Sequence, residues 1–416
     1  MTLRSDTGGG GLRRRGLLAG AGAGAAGVAL VGCATSSSHV PPATAAPVAF
    51  HGEHQAGIAT DAQDRLAFAA FDVQASTRAG LVQLLQTWTA AAARMTAGLE
   101  VADDAAHPLL PPRDTGEATG LAPANLTITV GFGPSLFDGR YGLAARRPAA
   151  LADLPAMPRE QLQAARSGGD LCVQACADDP MVAFHAVRNL RRLAFGPATM
   201  RWTQLGFGRT SSTSQGQATP RNLMGFKDGT NNLKSQDRTG FDDYVWVGGE
   251  TDQPWMQGGS YVVTRRIRML LEAWDRDFLA DQEAVVGRTK ASGAPLGAQA
   301  ETDVVPLDAR DTAGALVVPD RAHIRLAAPQ TNAGQRILRR GYSYTDGVDP
   351  VTGELDAGLF FIAYQKDPRA QFVPIQRRLA TSDAMNEYIV HTSSALFACP
   401  PGVTSGTGYL GESLLA

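Results

Sequence analysis

Between residues 66 and 207 the chain alternates short apolar runs with amphipathic ones in the order strand, helix, strand, strand, helix, strand, and this rhythm constrains the fold more than any other feature. Residues 66–73 (LAFAAFDV) have the length and composition of a buried strand. Residues 76–95 read as a helix capped by Ser76 or Thr77, with Leu81, Leu84, Leu85 and Trp88 recurring at helical spacing. Residues 126–132 alternate as a strand does, as do 170–177. Residues 181–195 carry Val182, Val187, Leu190 and Leu193 on one face, and 200–207 form a further strand. The order predicts a ferredoxin-like α+β unit, in which two helices cover one face of an antiparallel sheet.

The second half repeats the rhythm without sequence identity. Residues 260–264 read as a strand leading into 265–277, part of which looks helical (MLLEAW). Residues 322–326, 337–344 and 359–365 read as strands or strand ends, 382–390 as a helix, and about 395–398 as a last strand. Two ferredoxin-like units of the dimeric α/β-barrel type are therefore expected, 48–215 and 216–416, divided in the Ser/Thr/Gly/Gln-rich loop 209–220. A length of 416 residues with 44% hydrophobic and 19% charged residues suits two such units and excludes fibrous and wholly disordered classes. A net charge of −2 offers no basic field for nucleic acid. The irregular stretch 287–308 is a second long loop of the kind that borders ligand sites.

Residues 1–47 stand apart. Arg13, Arg14 and Arg15 precede an uncharged, mildly hydrophobic run from 16 to 31, then Gly32, Cys33 and a Ser/Thr/Pro/Ala stretch. This reads as an export signal of the twin-arginine type, a route that carries folded proteins. The run is short and weak for a retained transmembrane anchor. Leu30-Val31-Gly32-Cys33 fits a lipoprotein cleavage site with a lipidated cysteine, and equally a small-residue cleavage region that contains a cysteine. Cleavage removes Arg4, Arg13, Arg14, Arg15 and Asp6 and leaves a mildly acidic chain. Cys172, Cys176 and Cys399 then remain, too few for a disulfide framework, and Cys172-x-x-x-Cys176 has no partners to complete a metal site, so these read as small core residues.

The most informative cluster is Arg221-Asn-Leu-Met-Gly-Phe-Lys-Asp-Gly-Thr-Asn-Asn232. Two glycines around Asp228 let the backbone turn sharply and approach something flat or bulky, while Asp228 and the polar run behind it supply a carboxylate and donors. A second cluster follows, AHIRLAAP from Ala322 to Pro329 and LRRGYSY from Leu338 to Tyr344. In this order and on two ferredoxin-like units, these stretches resemble the dye-decolourising peroxidases, and within them the deferrochelatase/peroxidase subgroup of ferrous-iron uptake. HQAGI from His54, CADDP from Cys176, GLFFIAYQ from Gly358 and YLGESL from Tyr409 resemble the same subgroup, so the likeness covers roughly residues 50 to 416. Twin-arginine signals are common in that family.

The resemblance implies one haem b per chain in the C-terminal unit, with His323 as axial ligand of the iron. An imidazole made more basic by an acceptor behind it is a sound donor for that role. It implies a catalytic pair, Asp228 as proton acceptor and donor to peroxide and Arg339 as the guanidinium that stabilises the departing oxygen. That pair predicts activity favoured by acidic pH. Arg340 is expected to point away. Gly229, Thr230, Asn231, Ala328, Pro329 and Gln330 are implied as cofactor contacts, and Phe361 as an apolar wall or an ordinary core aromatic. The subgroup usually reads Asn-Pro-Arg where this chain has Ala328-Pro329-Gln330, which removes a charge partner for a haem propionate, with Arg325 or Arg221 as compensating candidates. His39, His51, His107, His185 and His391 are read as satisfied or exposed, and His51 and His54 as a loop feature. Five tryptophans and eight tyrosines would allow an electron relay for bulky donors, with no residue singled out.

The leading expectation is an exported haem b peroxidase that reduces H2O2 and oxidises organic donors. Alternatives are removal of iron from haem with the porphyrin intact, a non-catalytic haem-binding lipoprotein, which the charged pair disfavours, and a chlorite-dismutase-like relative, which the GFKDGT motif disfavours. Iron-uptake components are partners of the second reading. Oligomeric state is left open, and membrane association is expected only through a lipid on Cys33.

Overall fold

A computed structural model describes residues 47–102, 108–404 and 406–416; the segment expected to be an export signal, with Arg13, Arg14, Arg15, Cys33 and His39, and also His107, lie outside the described residues. The first half contributes β1 (Arg65–Val73), α1 (Arg78–Thr96), β2 (Thr127–Phe132), β3 (Leu171–Ala177), α2 (Pro180–Leu193) and β4 (Ala198–Arg209). Thr77 caps α1, its hydroxyl accepting from Gly80 N at 3.1 Å, and Leu81, Leu84, Leu85 and Trp88 are buried along one face. Asp179 caps α2 by accepting from Met181 N at 2.7 Å and Val182 N at 3.2 Å, with Pro180 at the first helical position.

The second half supplies β5 (Ser260–Met269), α3 (His323–Ala327), β6 (Leu338–Arg339), β7 (Tyr342–Val348), β8 (Leu355–Gln365), α4 (Phe372–Ser382) and β9 (Ile389–Cys399). All pairings are antiparallel, in the order β5-β9-β2-β3-β1-β4-β7-β8-β6, and β5 also pairs with β8. The sheet therefore closes into a barrel. Each half keeps the ferredoxin-like order, β4-β1-β3-β2 in the first and β7-β8-β5-β9 in the second, and the halves join along β4–β7 and β2–β9. β6 and β7 meet the same edge of β8 in succession, interrupted at Arg340 and Gly341.

Alternation along the strands separates two cores. Leu66, Phe68 and Ala70 of β1, Cys172 and Cys176 of β3, Phe360, Ile362 and Tyr364 of β8 and Phe397 and Cys399 of β9 fill the barrel interior. The three cysteines are free and buried there. Burying each aromatic ring in such a core contributes about 1.5–3 kcal/mol. The opposite face of β1, with Ala67, Ala69 and Phe71, packs under α1 and α2. Beneath the helices of the second half the layer is not filled, and a cavity remains.

Three segments differ from the sequence expectation. The run 322–326 is the helix α3, with Leu326 N donating to Ala322 O at 3.2 Å; its apolar-polar alternation over five residues fits either period, and Pro329 then stops the helix. The strand expected at 260–264 runs on as β5 to Met269, with Arg265 and Arg266 buried inside the sheet, whereas the MLLEAW stretch expected to be helical is so at Leu271–Trp274. Arg265 pairs with Glu160, while Arg266 lies 2.8 Å from both Asp346 and Asp356 and 4.2 Å from the Tyr344 ring centroid. The helix expected at 382–390 is instead α4, ending at Ser382, followed by a single turn at Ala384–Glu387 and then β9. The loop after β4 is not exposed in its first part, since residues 210–214 are buried and Ser211 Oγ donates to Arg339 O at 2.7 Å. Among the described residues no helix is long and apolar enough to cross a membrane.

Candidate active site

The cavity measures about 420 Å³. Its walls come from one face of the second-half sheet (Ile267, Met269, Leu359, Phe361, Ile389), from α4 (Phe372, Ile375, Leu379), and from α3 with the segment behind it (His323, Ile324, Ala328, Pro329, Gln330). Asp228, Gly229, Thr230, Asn231 and Arg339 also line it, so every residue singled out as catalytic or cofactor-binding from the sequence borders this one space.

His323 opens α3, and its Nδ1 lies 2.6 Å from Asp383 Oδ2. Asp383 is 2% exposed and held from several sides. Its N donates to Leu379 O at 3.0 Å, its Oδ1 accepts from Met385 N at 2.9 Å, and the next residue, Ala384, donates to Arg321 O at 3.0 Å. A carboxylate accepts only, so Nδ1 carries the proton and Nε2 is left as the ring's acceptor, with no partner among the described residues. Burial disfavours a charge on His323, but Asp383 outweighs it and its pKa is raised, with Asp228 acting in the same sense. Asp383 was not singled out in the sequence. Its aspartate-before-a-turn context carries no mark of a histidine sixty residues upstream.

Asp228 is placed by the turn before it. Asn222 N donates to Phe226 O at 3.0 Å and Asp228 N to Pro220 O at 2.9 Å. Gly229 has φ +83°, and a Cβ there would stand 2.7 Å from Ser211 Cα, so this position requires glycine twice over. Arg339 Nη1 donates to Asp228 Oδ1 at 2.7 Å, and Asn222 Nδ2 lies 3.4 Å from Oδ2. Asn232, 4% exposed, clamps the Arg339 backbone in both directions, donating to its O at 2.9 Å and accepting from its N at 2.8 Å. Arg340 turns the other way, fully buried, donating to Gln63 Oε1 at 2.9 Å and to Thr60 O.

Arg325 and Arg221 are not cavity cations. Arg325 is spent on the carbonyls of Val318 and Leu307, and Arg221 on those of Gly225, Lys290 and Ala291. Holding loops together is the role their positions give them. His54 stacks on Trp246 with ring centroids 3.8 Å apart and donates from Nδ1 to the Gly258 carbonyl at 2.7 Å. His185 sits between Asp114 and Glu117 at 3.6 and 3.5 Å. Among the described residues no group of three His, Cys, Asp or Glu side chains forms a metal site. Trp88, Trp202, Trp255 and Trp274 each donate an indole N–H to a backbone carbonyl.

His391 also reaches the cavity wall, 8% exposed, accepting at Nδ1 from Arg265 Nε at 3.4 Å. Burial and the Arg265 charge push its pKa from 6.5 down to about 3. A histidine depressed in the folded state binds protons more readily unfolded, so its full contribution to stability holds above pH 6.5 and is lost as pH falls towards 3. Urea midpoints of the apoprotein should fall on acidification, and His391→Gln should remove about 2 kcal/mol of that fall by pH 5. Parallel curves for the two proteins would refute the assignment.

Residues 55–208 match the family model for Dyp-type peroxidase, N-terminal, and residues 219–404 that for Dyp-type peroxidase, C-terminal. Deferrochelatase of Escherichia coli strain K12 is 42% identical over 371 residues, covering 88% of this chain and 86% of the relative. Ferric DtpA from Streptomyces lividans superposes with a TM-score of 0.82 at 42% identity, over 90% of this chain and 99% of that one. A DyP-type peroxidase from Streptomyces coelicolor gives the same TM-score and identity, again over 90% and 99%.

Proposed function

The chain belongs to the Dyp-type peroxidase family, and we propose that it is an exported haem peroxidase in which His323 holds the iron while Asp228 and Arg339 handle the protons and charge of H2O2. The observation that carries this reading is the Arg339–Asp228 ion pair at 2.7 Å in the cavity that also presents the free Nε2 of His323. The donor set fits haem. The ring has one nitrogen without a partner among the described residues, the walls are largely apolar, and Asn231, Gln330 and Arg336 add polar groups to the lining.

Haem, when bound, would supply the redox centre, iron with its porphyrin, able to give two electrons to peroxide and recover them singly from donors. The chain's residues do the rest. Asp228 takes the proton from one peroxide oxygen and returns it to the other, so that the second leaves as water. Arg339 keeps Asp228 aimed and offsets the charge that develops as the O–O bond breaks. Asp383 fixes the His323 ring and its tautomer. Leu359 and Phe361 line the space with hydrocarbon and exclude bulk water.

The curated relatives named deferrochelatase favour a second reading, release of iron from haem with the porphyrin intact, which uses the same pocket. That reading brings iron-uptake components as partners. Export by the twin-arginine route rests on Arg13–Arg15 and the run after them, and lipid attachment on Cys33. The test is a stopped-flow absorbance scan of haem-loaded protein with one equivalent of H2O2 at about pH 5. Rapid Soret loss, reversed by an organic donor, is the expected result. A static spectrum together with free protoporphyrin fluorescence would replace the first reading by the second.

A further inference from the structure

Haem carries two carboxylates, and a cavity that holds it must match them with cations or leave them in water. Four cationic side chains line this cavity, and three are already committed. Arg339 is paired with Asp228, and Lys227 with Glu301. Arg288, 7% exposed, donates to the carbonyls of Gly293 at 2.6 Å and Glu301 at 2.9 Å.

Arg336 is different. Its nearest acceptors are Asn231 O at 3.5 Å and Asp237 Oδ2 at 4.0 Å, both at the limit of interaction, so most of its five N–H donors are unspent. Its backbone, by contrast, is pinned. Gln371, 3% exposed, donates to Arg336 O at 2.6 Å, and three residues later Arg339 is locked by Asn232. The side chain is 26% exposed and lines the same cavity as Asn231 and Gln330. Gln330 itself carries no charge.

We infer that Arg336 is the carboxylate clamp of this site, pairing with a haem propionate at the cavity rim in place of a cation that position 330 does not provide. The inference rests on the haem reading above and adds to it the residue that holds the cofactor's charged edge. A guanidinium can grip a carboxylate through two parallel hydrogen bonds, and at a partly exposed rim such a pair is weakened by salt.

The experiment follows transfer of haem from the loaded protein to excess apomyoglobin, for wild type and Arg336→Gln, each carrying either haem or haem dimethyl ester. Arg336→Gln should release haem about tenfold faster, on the scale of one charge-assisted bond. It should leave release of the diester unchanged, because the ester has no charge to lose. Adding Gln330→Arg to Arg336→Gln should slow release again. Equal acceleration of haem and diester would show a packing effect and overturn the proposal, as would a wild-type rate in Arg336→Gln or the tenfold effect appearing instead in Lys227→Gln. Failure of the haem reading itself looks different, since the wild-type protein would then take up neither form.

Discussion

Replacing His323 with Ala is expected to abolish retention of haem through gel filtration, or to leave a displaced Soret band and a cofactor lost at least a hundredfold faster. Nε2 is the only group of this ring not already engaged, and no other cavity residue offers a neutral nitrogen in its place: His391 is bound to Arg265 and turned to neutrality by burial. Asp383→Asn separates ligation from tuning. An amide oxygen still accepts the Nδ1 proton but brings no charge, so the ring stays placed while its donor strength falls. That variant should keep haem, raise the reduction potential and slow the reaction with peroxide about 10- to 100-fold. An unchanged Soret band and retention in His323→Ala would sink the ligand assignment, whatever Asp383→Asn does.

What was legible in the sequence follows from what was local. The first half could be read almost strand by strand because its elements bury one face in period 2 or 3.6 and carry ordinary caps at Thr77 and Asp179. In the second half the same rules failed where charge was buried or elements were short. Arg265 and Arg266 lie inside a strand because Glu160, Asp346 and Asp356 arrive from distant segments, which a local pattern cannot show. α3 is five residues long, too short for its period to be distinguished from that of a strand. The motif residues His323, Asp228 and Arg339 could be named from resemblance, whereas their supports could not. Asp383 and Asn232 act through hydrogen bonds spanning 60 and 107 positions, and Arg336 stands out only once the other three cavity cations are seen to be occupied.

Removing either member of the Asp228–Arg339 pair should stop peroxide chemistry while sparing the cofactor. On the proposed mechanism, Asp228→Ala deletes the proton carrier, an effect of about 10²- to 10⁴-fold, and Arg339→Leu deletes the charge proposed to offset the leaving oxygen, about 10²- to 10³-fold. Neither change should unfold the site. Asp228 is held by its backbone N on Pro220 O, and the Arg339 backbone by Asn232 and Ser211, so both main chains keep their anchors when the side chains go. Because the proposed mechanism has Arg339 aim Asp228 through their 2.7 Å contact, the two losses are not expected to be independent. The double variant should be little slower than Asp228→Ala alone, since residues that act as a unit give non-additive effects. The measurement is the second-order rate of Soret change after mixing with H2O2, taken on variants whose ferric spectra match wild type. Wild-type rates in both single variants would remove the pair from the mechanism. Multiplying effects in the double variant would mean that Arg339 meets peroxide without acting through Asp228, and that the observed ion pair is a resting arrangement which opens before the bond breaks.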